Sequence, residues 1–215
     1  MAQISDRPLR RHAGRAAADP GGNQRLTAMT GAVLLVLFTA ECLTLLSLGP
    51  HLALHFFLGM LLIGPVCLKA GSTLWRFTRY YTGSAAYVRR GPPPLPQRVL
   101  GPLVMLTSLA VLFTGVMLAV EGPGDWTWHA LHQRAFLAWA VVIIVHVATY
   151  APKLPRLLAG PPTEHAGGAA PPGPASRAHY LLAARLTRWL LLGGSLAVGL
   201  ILGLLTYHLS GRWGG

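Results

Sequence analysis

Along this 215-residue chain the polar positions are swept to the edges of long apolar blocks instead of alternating with apolar ones. Five blocks stand out, roughly Leu26 to Leu48, His51 to Leu74, Val99 to Val120, Trp128 to Tyr150 and Leu186 to Leu209. Each is long enough to cross a bilayer, which takes about 20 helical residues at about 1.5 Å of rise each. The pattern predicts an all-α transmembrane helical bundle, a four-helix core plus a fifth C-terminal span. The first block is not a secretion signal, because it is long, lacks a convincing small-residue cleavage site and is followed by four more. Nor is it a lipoprotein leader, since Glu41 directly precedes Cys42.

Composition agrees with this pattern. Hydrophobic residues make up 53% of the chain and charged residues 11%, against roughly a quarter charged in soluble domains. A net charge of +12 would suggest a nucleic-acid partner in a soluble protein. Here the basic residues sit between apolar runs and form no folded basic face, so no nucleic acid is expected. Cys42 and Cys67, each inside an apolar block, read as inert packing residues. The chain divides into a basic tail (1–25), a four-helix membrane unit (26–158), a linker rich in Pro, Gly and Ala (159–180) that sets the last span apart as an appendage, and the fifth helix with a short outer tail (181–215). The tail could rest on anionic lipid.

Arg and Lys crowd one side of the spans: Arg7, Arg10, Arg11, Arg15 and Arg25 before the first, Lys69 to Arg98 around the second connection, and Lys153 to Arg188 around the fourth. The other side has only Arg134 and Arg212. The positive-inside rule then makes the N-terminus cytoplasmic and the C-terminus extracytoplasmic, in the plasma membrane. Spans two and four run in the same direction.

Candidate chemistry comes from the histidines, five of which lie in or at spans two and four: His51, His55, His129, His132 and His146. Ionisable residues in a membrane point to function by default. His132 and His146 are fourteen residues apart, hence within about 40° on one helix face and about 21 Å apart along the axis. His55 falls at the depth of His132. Two imidazoles facing across a bundle are what a b-type haem needs as axial ligands. His51 and His129 sit nearer the water boundary and are weaker candidates, and His208, ending span five, is at most a spare ligand. Gly59, Gly64 and Gly115 could let a flat macrocycle approach the backbone, or could serve tight helix packing. Glu41, the sole carboxylate within a span, could orient a ligand histidine or take a proton from a quinol. No nucleophile with a base, no carboxylate pair and no phosphate loop is present, so hydrolase and kinase chemistry has no support.

The stretches "HFFLGMLLIGPVCLK", "STLWRFTRYYTGSAAYVRRGPPP" and "LHQRAFLAWAVVIIVHV" resemble the small cytochrome b-like membrane proteins of actinobacteria, within the transmembrane di-haem cytochrome superfamily that includes membrane subunits of formate dehydrogenases and nickel-iron hydrogenases. The resemblance covers roughly Leu26 to Leu158 and implies a four-helix haem-binding core, haem b, and electron transfer, with His55, His132 and His146 matching histidines of the family. The chain departs from a two-haem pattern at Lys69, fourteen residues after His55, where a second histidine would be wanted. One haem is therefore expected in preference to two, with Lys69 snorkelling to the headgroups. The expected role is that of an electron-transfer subunit more than a stand-alone enzyme, working between the quinone pool and an extracytoplasmic redox enzyme or domain. The alternative is a haem-free subunit or small transporter whose outer histidines bind zinc or copper or relay protons.

Overall fold

The computed structural model describes residues 20–88, 95–150, 152, 155 and 174–213, and all regular structure among them is helical. Helix α1 (Pro20–Thr44) passes through a 3-10 turn at Leu45–Ser47 into α2 (Leu48–Tyr81). The short α3 (Ala85–Val88), then α4 (Leu95–Glu121), α5 (Trp126–Tyr150) and α6 (Pro174–Thr206) follow, and a 3-10 segment, Tyr207–Trp213, ends the described chain. Helices are what these apolar blocks dictate, because in hydrocarbon every backbone N–H and C=O has to be paired within the segment.

Four continuous helical stretches are long and apolar enough to cross a membrane: Gly22–Tyr81, Arg98–Glu121, Trp126–Thr149 and Leu181–Trp213. The first, of 60 residues, is folded back on itself and carries two of the five apolar blocks. Asn23 Nδ2 donates to the Ser72 carbonyl at 3.1 Å and Lys69 Nζ to the Thr27 carbonyl at 2.6 Å, which lays the start of α1 beside the far half of α2. The tail over 1–19 and the stretches 89–94 and 156–173 lie outside the described residues. Helix nevertheless begins at Pro20 and at Pro174, inside the segments expected to be tail and linker.

The fifth span is no appendage. Its helix, α6, makes the most extensive helix pairing of the molecule, with α2. The reason lies in small residues: Ser195, Gly199 and Gly203 recur every four positions on α6, and Gly64 faces them from α2. A Cβ on Gly64 would overlap the Ser195 carbonyl, one on Gly199 would overlap the Leu61 carbonyl, and one on Gly203 would lie 2.9 Å from the Phe57 ring. Backbones meet this closely only where side chains are missing. Of the two roles open to Gly64, helix packing is the observed one.

The turn from α4 to α5 uses Gly122, whose φ of 94° suits glycine, and Asp125, whose carboxylate accepts from the Thr127 and Trp128 amides at 2.9 and 3.1 Å as an N-cap. These devices hold α4 and α5 side by side. The C-terminal turns of α2 carry Trp75, Arg79 and Tyr81, with the Arg79 guanidinium 5.6 Å from the Trp75 ring centre, the make-up of an interfacial anchor.

Candidate functional site

Helices α2 and α5 make almost no direct backbone approach to each other. Between their first halves lies a cavity of about 500 Å³, within the 300 to 1,000 Å³ span usual for ligand pockets. His55 of α2 and His132 of α5 enter it from opposite walls, with ring centres 6.4 Å apart and planes at 75°. Phe38, Leu62 and Trp139 close it towards the middle of the bundle; Trp139 is fixed there by donating to Ser108 Oγ at 3.1 Å and by stacking on Phe38 at 4.6 Å. The lining is apolar apart from Glu41, the three histidines His55, His129 and His132, and Gln133.

The hydrogen bonds assign the tautomer of both facing rings. Thr44 spends its hydroxyl proton on the Glu41 carbonyl at 2.6 Å, so towards His55 Nδ1, 2.9 Å away, its oxygen can only accept. Glu41 Oε1 stands 3.0 Å from the same nitrogen. Nδ1 of His55 therefore carries the proton, shared between Thr44 and Glu41, and Nε2 holds the lone pair. Thr114 likewise donates within α4, to the Ala110 and Val111 carbonyls at 2.8 and 3.1 Å, and accepts from His132 Nδ1 at 3.2 Å. Both histidines are thus set as Nε2 donors held by a partner at the other nitrogen, the arrangement that orients imidazole ligands.

Two glycines shape the walls. A Cβ at Gly115 would stand 3.0 Å from His132 Cε1, and one at Gly59 would stand 3.4 Å from Glu41 Oε1, so each leaves room for the side chain opposite. At the outer rim the 3-10 segment folds inward: Trp213 lines the cavity 6.0 Å from the Phe56 ring, and Arg212 donates to the Val120 carbonyl at 2.8 Å and approaches that of Glu121 at 3.4 Å. Sequence reasoning missed this contribution, because nothing local marks a tail that folds back onto its own bundle.

The other candidates separate cleanly. His129 lines the rim, its Nε2 3.0 Å from Gln133 Nε2 and its ring 5.5 Å from Trp126. His51 is exposed, its Nδ1 at 2.9 Å from both Ser47 oxygens, and does not line the cavity. His208 is exposed and outside it as well. His146 lies deeper along α5, beyond the cavity floor, where the Lys69 charge bears on it. His55 faces His132, and the Lys69 charge acts on His146 fourteen residues on in each helix, as fits α2 and α5 running parallel.

One expectation is corrected here. Lys69 does not snorkel: it turns into the α1–α2 interface, bonded to the Thr27 carbonyl in a space that Gly31 leaves open, since a Cβ there would stand 3.0 Å from Nζ. The clustering of outer histidines round a zinc or copper ion is also not seen, for among the described residues no three His, Cys, Asp or Glu side chains converge as a metal-ion site. Two imidazole lone pairs in a dry pocket suit a group that brings its remaining ligands with it.

These features define a multi-pass, all-α membrane protein with an apolar cavity flanked by two paired imidazoles. No protein-family model, curated protein or solved structure matches the chain.

Proposed function

We propose that the cavity holds one haem b between His55 and His132 and that the protein is a membrane-bound electron carrier. One observation carries the reading: the His55 and His132 rings, each engaged at Nδ1, line one apolar cavity with their centres 6.4 Å apart. Two metal–nitrogen bonds of about 2 Å each, plus about 1.1 Å from each nitrogen to its ring centre, require roughly 6 Å. That separation alone would also suit an edge-to-face ring pair. The hollow around the rings, and the absence of direct packing between α2 and α5, favour a ligand between them.

His55 and His132 would hold the group, which would supply its own remaining nitrogens and a one-electron couple, and the apolar lining would do the rest. Within this reading Thr44, Glu41 and Thr114 fix the ring orientations, Gly115 and Gly59 make room, and Phe38, Leu62 and Trp139 keep water from the inner side. Gln133 and His129 at the rim offer polar partners for propionates. The distribution of Arg and Lys supports a plasma-membrane orientation with the N-terminus cytoplasmic and this site near the extracytoplasmic face. There it would exchange electrons with an extracytoplasmic redox enzyme or domain on one side and with quinone on the other. The resemblance to cytochrome b-like membrane proteins supports the same role. Proton relay through Glu41 and His55 is the weaker reading, because the apolar floor interrupts any polar path towards the opposite side.

The test is the dithionite-reduced spectrum and pyridine haemochrome of the purified protein. One haem b per chain is expected; protein that stays colourless after expression with ample haem supply would sink the proposal.

A further inference from the structure

Two indoles line the cavity, Trp139 towards the middle of the bundle and Trp213 at the outer rim, and their N–H groups fare differently. Trp139 donates to Ser108 Oγ at 3.1 Å, whereas Trp213 Nε1 is buried with no hydrogen-bond partner among the described residues. An indole N–H can only donate. Buried indoles usually find an acceptor, and leaving one without is unfavourable. The chain nevertheless holds Trp213 where it is, from two sides. The Phe56 ring stands 6.0 Å away at 66°, and the adjacent Arg212 clips the segment to the end of α4 by donating to the Val120 carbonyl at 2.8 Å. That carbonyl belongs to the last turn of its helix, where no intrahelical donor reaches it. Gly122 leaves room for the clip, since a Cβ there would stand 3.0 Å from the Arg212 guanidinium. The fold thus fixes a donor at the rim and offers it no acceptor; an occupant of the cavity can bring one.

We propose that Trp213 is the clasp of the cavity, its indole N–H donating to a propionate carboxylate of the haem, with Arg212 as the tether that keeps the clasp in place. The inference rests on the haem reading above and adds a binding residue to it. Haem b is apolar over its ring, and its two propionates are the groups that carry exposed acceptor oxygens. Being charged, they belong at the end of a dry pocket that meets water, which is the rim that Trp213 shares with His129 and Gln133. A neutral donor on an anionic acceptor forms a charge-assisted hydrogen bond, stronger than one to a neutral oxygen.

The rate of haem loss to excess apomyoglobin tests it, with the full chain in detergent loaded either with haem or with haem dimethyl ester, whose propionates carry no charge. W213F keeps a ring against Phe56 and removes the N–H. It is expected to lose free haem about tenfold faster than the wild type, the size of one hydrogen bond to a charged group, while its loss of the ester changes little. Circular dichroism and gel filtration verify folding, and Trp213→Leu serves if W213F does not fold. A folded variant that keeps free haem as long as the wild type overturns the clasp and leaves haem binding standing. Equal acceleration for haem and ester overturns it too, because Trp213 would then act by packing alone. A wild type that takes up no haem overturns both the clasp and the reading beneath it.

Discussion

The two halves of the α2–α5 pair are built on the same register and end differently. In the outer half His55 and His132 face each other across a cavity of about 500 Å³. Fourteen residues further along both helices the Lys69 charge acts on His146, but neither residue lines the cavity. Leu34, Leu62 and Val66 pack as a core against Leu37, Phe38 and Leu112, and Lys69 is drawn off to the Thr27 carbonyl of α1. Matching depth and face on two parallel helices is thus not sufficient for a cavity. Neighbouring helices have to leave a gap, as α1 and α4 do beside Gly59 and Gly115, and have to hold the second ring nitrogen, as Thr44 and Thr114 do.

The largest expected effect breaks the outer half outright. On the proposed reading, replacing His55 or His132 by Ala should abolish the haem signal, because each would be one of two residues holding the group, whereas His146→Ala should leave haem per chain unchanged. His51→Ala should match the wild type. Pyridine haemochrome titration against protein concentration reads all four variants. Loss of half the haem in His146→Ala would restore the two-site picture and end the contrast between the halves.

Next in size is the wall. Gly115→Ala places a methyl group 3.0 Å from His132 Cε1, so the ring has to shift by a few tenths of an ångström. Ligand distances tolerate about 0.2 Å, and second-layer changes at metal sites typically cost 10- to 100-fold in affinity. Haem retention in competition with apomyoglobin should fall by about tenfold, while Gly71→Ala, whose Cβ meets nothing within 4 Å, should change nothing. Smaller still is the effect of Lys69→Met in the inner half. It removes the bond to Thr27, with a stability loss of about 1 kcal/mol by thermal denaturation in detergent, and keeps haem content intact. A drop in haem would make Lys69 a ligand and refute its assignment to the helix interface.

Much of this contrast was legible in the residues. Apolar block length marks the spans, the fourteen-residue step marks the shared face of His132 and His146, and Lys69 in place of a histidine marks the inner half as different. The acceptors for Nδ1 were not legible: Thr44 and Thr114 come from other helices, and a threonine in an apolar run looks the same whether it bonds only its own helix or also a neighbouring ring. The target of Lys69 is a backbone carbonyl, which has no sequence signature. The packing of α6 did have one, in Ser195, Gly199 and Gly203 at intervals of four, but the Pro- and Gly-rich segment before it drew the reading towards a detached span. Arg212 and Trp213 reach the rim only because the chain end folds back, which no local pattern encodes.

The smallest effect probes the asymmetry within the outer site itself. His55 Nδ1–H has two acceptors, Thr44 and the Glu41 carboxyl, whereas the His132 ring has neutral partners, the Thr114 oxygen and the Val111 backbone carbonyl. When ionised, the Glu41 carboxyl pulls harder on the imidazole proton than a neutral oxygen and makes Nε2 the stronger donor, which on the proposed reading would favour ferric over ferrous iron. Glu41→Gln keeps the shape, and Thr44 still holds the tautomer, so the ligand and the haem content should survive. The midpoint potential, by redox titration, should rise by less than about 59 mV, the shift that a tenfold change in relative affinity produces for one electron. Thr114→Val removes one neutral partner of His132 and leaves the Val111 carbonyl, so the potential should stay within a few tens of millivolts. A fall in potential for Glu41→Gln, or loss of haem from it, would show that Glu41 holds His55 in place instead of tuning it.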